Sequence, residues 1–500
     1  MAESQGRDAM TSQDHGHLGG RAARSAARLL GGQSALFVIQ LTSIVVLARL
    51  LTPQEYGIVA MALAFTGFGH LLRDVGLSSA AIQAPTLSHA QRSNLFWINT
   101  GIGAAMATVV MVLAPVIAIY YAEPTVLWIV LGFAPTLLLS GMATQLRAHA
   151  VRTLQLGRLA LVDVTSALLG LASAILLAYA GGGAWALVIQ QLVGGLCTLI
   201  LMLALGGWMP GWIHRGVPMR AFFAFGVPLF GSQLLTYFAS NLDSMLMGRH
   251  YGSVLTGLYN RSLQLVRVPM NQLRSPLGQL ALSVLSRIQS DDSRLISYVS
   301  QGQRAMGYPL LFAAGLLAAM APAVIDVAIG DQWASAAPFV RLIAVGEGLT
   351  TLAGVGGWIY TSRGLGAALL KYTVVSASVK ACLLITAAAF GPIWIAAAFA
   401  FAPVVLWPLS LIWVGKVANL RTLPLLVNSC RMVAVATIAS IAAYFSLEWV
   451  LSAGAGSIVG IAAGCFAALI TAAAAAVIPA VRNDYLLSFQ LVKTAMVRPS

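Results

Sequence analysis

Apolar stretches of membrane-crossing length follow one another along almost the whole chain, and this leaves little choice of architecture. A helix needs about 20 mostly apolar residues to cross a bilayer, and about fourteen segments meet that requirement. They are 29–50, 56–82, 94–120, 125–145, 159–180, 184–206, 222–248, 255–285, 305–329, 337–360, 368–390, 392–414, 426–447 and 457–480. Composition agrees, because 59% of the 500 residues are hydrophobic and only 9% charged, against about 25% charged in an average soluble domain. The expected fold is an all-α integral membrane protein of about 14 transmembrane helices.

The first 28 residues are polar and lack the short apolar core of a cleavable signal, so the first span is expected to remain as a membrane anchor. Placing the N-terminus in the cytoplasm puts almost every loop arginine and lysine there, from Arg7 through Arg147, Arg304 and Lys416 to Arg498. The opposite loops keep essentially Arg249. This lopsided partition supports an even number of spans and two cytoplasmic termini, because a missed helix would scramble every later loop. No loop is long enough to hold a soluble domain, so a formal charge of +14 reads as topology rather than as a nucleic-acid surface.

A faint repeat suggests two halves. Leu47, Leu51, Tyr56 and Gly57 return as Leu242, Leu246, Tyr251 and Gly252, offset by 195, at corresponding junctions between spans. The expected organisation is a polar cytoplasmic tail (1–28), an N-lobe (29–207), a cytoplasmic linker (208–221), a C-lobe (222–415), two appended helices (416–481) and a cytoplasmic C-terminal tail (482–500).

One polar stripe interrupts this apolar background. Asn260, Gln264, Arg267, Asn271 and Arg274 recur at spacings of 4, 3, 4 and 3, which puts them on one helix face. Arginines at bilayer depth are costly unless they face a wet, protein-lined cavity, so the stripe reads as the wall of a path for an anionic cargo. The alternative is a surface helix lying in the interface. In the seventh span Gln233, Thr236, Ser240 and Asp243 make a second polar face, and Asp243 is positioned to pair with an arginine of the eighth. The second span carries His70, Arg73 and Asp74. Arg73 and Asp74 point about 100° apart on a helix and so need other partners. Asp163 and Glu347, the latter with Thr350 and Thr351, complete the membrane carboxylates. Pro269 and Pro276 are expected to kink or break the eighth span, and Gly67, Gly69 and Gly76 to loosen the second.

Plainer roles stand beside these. Arg49, Arg158 and Arg249 have side chains long enough to snorkel to headgroups, Gln40 and Ser43 suit helix-to-helix hydrogen bonds, and Asp163 and Glu347 suit ion pairs that only fix packing. Cys197, Cys382, Cys430 and Cys465 form no C-x-x-C pair and stand near no histidine cluster, so no metal or other cofactor is expected. The sequence also lacks G-x-x-x-x-G-K-[ST], so the chain has no ATP-hydrolysing loop of its own. Ion coupling would fall to Asp74, Asp163, Asp243 or Glu347.

From Ala48-Arg49-Leu50-Leu51-Thr52-Pro53-Gln54-Glu55-Tyr56-Gly57 onward the chain resembles the Wzx-type lipid-linked oligosaccharide flippases of the multidrug/oligosaccharidyl-lipid/polysaccharide exporter superfamily. The likeness continues through Arg158-Leu159-Ala160-Leu161-Val162-Asp163, Asn241-Leu242-Asp243, Gly257-Leu258-Tyr259-Asn260-Arg261 and Gly330-Asp331-Gln332-Trp333, and covers about residues 25–415. It implies a V-shaped, two-lobed helical fold that alternates between inward- and outward-open states. It also implies an undecaprenyl-pyrophosphate-linked oligosaccharide moved to the outer leaflet of the inner membrane, with a polysaccharide polymerase or export machinery as possible company. In such a cavity Arg49, Arg73, Arg267 and Arg274 would receive the pyrophosphate. Arginine forks suit diphosphates, and Gln264, Asn271, Tyr237 and Tyr259 suit sugars. A multidrug or organic-cation antiporter and a peptidoglycan-precursor flippase are the alternatives within the superfamily. A membrane glycan polymerase or glycosyltransferase is the alternative outside it, and would show a large outer loop or a D-x-D motif, which the chain lacks.

Overall fold

The computed structural model describes residues 31–67, 81, 87–216, 219–286, 288 and 291–497, and among them every regular element is a helix. The chain divides into two compact units, residues 1–241 and 242–500.

The first unit contains α1 (Gly31–Leu50), α2 (Pro53–Thr66), α3 (His89–Tyr121), α4 (Thr125–Arg152), α5 (Leu156–Tyr179) and α6 (Trp185–Leu205). Helix starts are set by local chemistry. Thr52 and Glu55 form a reciprocal capping box at α2 with Pro53 in the first turn, and Ser88 and Gln91 form another at α3. Apolar faces of α2, α3, α4 and α6 meet in a core that includes Met61, Val110, Ile129, Phe133 and Val188. Helices α3 and α4 approach closely because Gly103 and Gly141 carry no side chain. A Cβ on Gly103 would lie 2.7 Å from the Leu137 carbonyl oxygen, and one on Gly141 2.5 Å from that of Asn99. Gln190 of α6 donates to Ser43 of α1 at 3.0 Å, so Ser43 does serve as helix glue.

A 66-residue helical tract, α7 (Arg220–Leu285), carries the chain into the second unit. It breaks once, at Gly252, where φ is +79° and ψ −176°, a conformation that essentially only glycine adopts. The backbone stays helical at Pro269 and Pro276, so the break expected at the prolines lies instead at the glycine. The two arms fold back as neighbours, because residue pairs 16 apart and centred on the break touch: Asp243 with Tyr259, and Ser244 with Asn260. The seventh and eighth expected spans fall on the two arms of this hairpin. At the first copy of the repeat the chain turns earlier, between α1 and α2, and Gly57 lies inside α2.

The second unit continues with α8 (Asp292–Ala319), α9 (Ala321–Ala328), a 3-10 turn (Asp331–Ala336), α10 (Ala337–Ser362), α11 (Gly366–Ala387), α12 (Pro392–Ala418), α13 (Leu423–Ser452), α14 (Ser457–Ala474) and α15 (Pro479–Val497). Asp291 caps α8, and the N–H of Arg294 with the Ser293 hydroxyl and N–H holds its carboxyl below the usual range. Helix α10 packs on α8 and α12, and α13 on α8 and α14.

Ten helices among the described residues are long and apolar enough to cross a membrane, or eleven if α8 and α9, bent by 82°, count as one. Of the remaining expected spans, two fall on the arms of α7 and one begins on α2, its part after residue 67 lying largely outside the described residues.

The C-terminal segment, expected as a tail, forms α15 and docks on α8. Its Asp484 is 1% exposed and accepts from Arg304 Nη1 at 2.9 Å, the Tyr308 hydroxyl at 2.9 Å, and Arg431 Nε at 2.8 Å and Nη2 at 2.6 Å. One carboxylate thus joins α8, α13 and α15.

Candidate functional site

The polar stripe lies on the second arm of α7, and the structure brings part of it together with α10. Arg267 donates Nε to Glu347 Oε1 at 2.6 Å, with its guanidinium carbon 5.1 Å from the centre of the Phe399 ring. Arg274 reaches the same residue from two turns further along. Its Nη2 lies 2.9 Å from the Glu347 carbonyl oxygen, 2.9 Å from Thr351 Oγ1 and 3.4 Å from Glu347 Oε2. Glu347 is 5% exposed, a burial tolerable for a carboxylate because two guanidiniums surround it. Lys380 of α11 adds a third cation, its Nζ 5.2 Å from the opposite partner of Arg267, the Phe399 ring.

Each arginine keeps donors in reserve. Among the described residues the Nη groups of Arg267 and Nη1 of Arg274 make no hydrogen bond, and Nε of Arg274 is buried without a partner. Both side chains remain partly exposed, at 32% and 25%. A planar fork with spare N–H groups is suited to the oxygens of a phosphate or diphosphate. Gln264 and Asn271 of the same face are exposed, and Gln264 accepts from Arg261 Nη1 at 2.8 Å. Asn260 is turned inward, donating to the Thr256 carbonyl at 3.1 Å and meeting Ser244 Oγ at 3.1 Å.

Asp243 is fully buried and takes a different partner from the one expected. Its carboxylate accepts the Ser244 N–H at 2.8 Å and the Tyr259 hydroxyl at 2.9 Å, while the arginines of the stripe hydrogen-bond to Glu347 instead. Tyr259 is likewise fully buried, so it locks the α7 hairpin and is withdrawn from any sugar contact. Tyr237 is also committed, donating to the Leu63 carbonyl at 2.5 Å.

In the first unit Asp163 forms a two-pronged ion pair with Arg147, one prong being Nη2 to Oδ2 at 3.0 Å, which ties α5 to α4. Arg49 is exposed at the end of α1. Arg158 donates to Gln155 and to the Leu205 carbonyl at the end of α6, a capping role rather than snorkelling. His70, Arg73, Asp74, Gly69 and Gly76 lie outside the described residues. Lys380 and Phe399 were missed in the sequence, where a lysine and a phenylalanine on two otherwise apolar helices give no periodic signal.

A polytopic helical membrane protein with a cation-rich polar face on a broken helix pair has the form of a carrier. The chain belongs to the family of polysaccharide biosynthesis proteins, which its residues 46–338 match. It is 23% identical to the teichuronic acid biosynthesis protein TuaB of Bacillus subtilis over 65% of this chain and 68% of that one. It is 25% identical to the succinoglycan biosynthesis transport protein ExoT of Rhizobium meliloti over 66% and 67%, and 22% identical to the lipopolysaccharide biosynthesis protein WzxC of Escherichia coli over 62% and 63%. Among solved structures the fold is shared with the lipid II flippase MurJ in an inward closed conformation, with a TM-score of 0.72 at 10% identity, covering 90% of this chain and 98% of that one. It is shared less closely with an inward-facing multidrug resistance transporter of the MATE family, with a TM-score of 0.55 at 14% identity, covering 79% and 99%.

Proposed function

We propose that this protein is a flippase that carries an undecaprenyl-pyrophosphate-linked oligosaccharide, a repeat unit of an O-antigen, capsule or exopolysaccharide, from the cytoplasmic to the outer leaflet of a bacterial inner membrane by alternating access. The observation that carries this reading is the Arg267, Arg274 and Glu347 cluster. Without cargo, Glu347 compensates the two arginines. An arriving diphosphate competes with that carboxylate and engages the spare N–H groups, so the site binds the anion by exchange of partners rather than by exposing bare charge. Gln264 and Asn271, exposed on the same face, are placed for sugar hydroxyls. Arg49 and Arg73 are the proposed anion-binding residues of the first unit.

Both termini are cytoplasmic in this proposal, on the distribution of loop cations. Asp243 and Glu347 are the proposed coupling carboxylates in the second unit, with Asp74 and Asp163 in the first. An organic-cation antiporter fits less well, because the partly exposed groups of the cluster are cations and its carboxylates are buried. A peptidoglycan-precursor flippase would handle the same lipid diphosphate, and the names of the curated relatives favour an exported polysaccharide.

The test is purified protein in liposomes with a labelled undecaprenyl-pyrophosphate oligosaccharide, scoring label that becomes accessible on the far leaflet. Translocation that depends on Arg267 and Arg274 supports the proposal. Absence of translocation by the wild-type protein across several glycans and ion gradients, with transport of an organic cation, would overturn it.

A further inference from the structure

A cleft of about 730 Å³ runs between α8, α10 and α13 in the second unit. Its walls are apolar, formed by Leu311 and Ala318 of α8, Val345 of α10 and Ile441 of α13 among others, and among the described residues the one charged side chain lining it is Arg341. That arginine is exposed one turn inside the start of α10, with its guanidinium carbon 5.9 Å from the centre of the Tyr444 ring. Among the described residues no carboxylate forms an ion pair with it. The cluster around Glu347 does not use it.

We propose that this cleft seats an acyl chain of a membrane phospholipid, with the lipid phosphate on Arg341. The charge fits, since a single guanidinium at one end of an apolar slot matches a single phosphodiester above a hydrocarbon tail. The length fits as well. On α13 the lining runs from Val433 to Phe445, about 18 Å at 1.5 Å per residue, close to half of a hydrocarbon core of about 30 Å. A chain confined to one leaflet fills such a slot, whereas a transmembrane partner helix would need the whole thickness. Helix ends set the depth: Arg341 lies near the membrane surface and the apolar walls lie below it. The bound lipid would fill the gap between α10 and α13, over α8, which packs closely on α13: a Cβ on Gly315 would collide with Ser440 Oγ. The site stands without the transport reading, and only its assignment to the outer leaflet rests on the orientation proposed above.

The experiment is native mass spectrometry of the full-length protein extracted in mild detergent from cells that make no polyprenyl-linked glycan. The wild-type protein is expected to retain one phospholipid per chain. Retention is expected to fall several-fold in Arg341→Ala, which removes the phosphate partner, and in Thr437→Trp, which fills the slot from its exposed α13 wall. Arg341→Lys should restore most of it. A wild-type protein without bound phospholipid, equal retention by both variants with wild-type melting, or a polyprenyl phosphate or a small membrane protein in place of phospholipid would each overturn the proposal. Lipid retention without glycan translocation would leave this site standing and count against the transport reading alone.

Discussion

Glu347 holds both arginines of the stripe, Arg267 through its carboxylate and Arg274 through its backbone carbonyl and carboxylate together. One acidic residue on α10 therefore sets both the position and the charge of the two groups proposed to meet the cargo.

Replacing Arg267 and Arg274 together with alanine is expected to abolish translocation. The same change strands the Glu347 carboxylate, a loss toward the lower end of about 3–5 kcal/mol because the arginines are partly exposed. Adding Glu347→Gln removes that penalty. The triple variant should melt near the wild-type temperature and still fail in the liposome assay; normal translocation by it would take both arginines off the cargo path.

Asp484→Asn keeps the shape of the clasp and removes its charge, leaving Arg304 and Arg431 opposed without compensation. A loss of about 3 kcal/mol is expected from breaking a buried pair, read as a lower melting temperature in detergent. Tyr308→Phe, which deletes one hydrogen bond to the same carboxylate, should cost about 1 kcal/mol. Equal effects of the two would mean that the ion pairs contribute little.

Gly252→Ala is expected to cost about 1–3 kcal/mol through the backbone alone, because nothing lies within 4 Å of the added Cβ. A thermal-shift measurement should show this, and an unchanged melting temperature would place the hairpin turn in a conformation open to any residue.

For Arg147 and Asp163 a double-mutant cycle is the appropriate readout, since each side chain is 22% exposed. The coupling energy is expected in the lower half of about 0.5–3 kcal/mol. No coupling would make the pair an incidental surface contact.

Hydrophobic run length carried most of the fold, because a membrane solvent leaves the backbone little besides the helix. The stripe was legible for the same reason: arginines at 3- and 4-residue spacing stand out against an apolar field. Their partner was not. Glu347 was visible as a membrane carboxylate, yet its pairing with Arg267 and Arg274 spans more than 70 residues and depends on helix packing that no local pattern encodes. Asp243 shows the converse, since the backfold at Gly252 gave it a tyrosine 16 residues away. The charges in 482–500 look like those of any solvated tail, and only packing reveals that one of them, Asp484, is buried.

The Asp484 clasp also bears on how the protein is made. Arg304 and Arg431 enter the growing chain before residue 484, so during synthesis these arginines of α8 and α13 wait for the counter-charge that α15 brings. A chain interrupted before α15 would carry the apolar helices that precede it and leave its second unit unlatched.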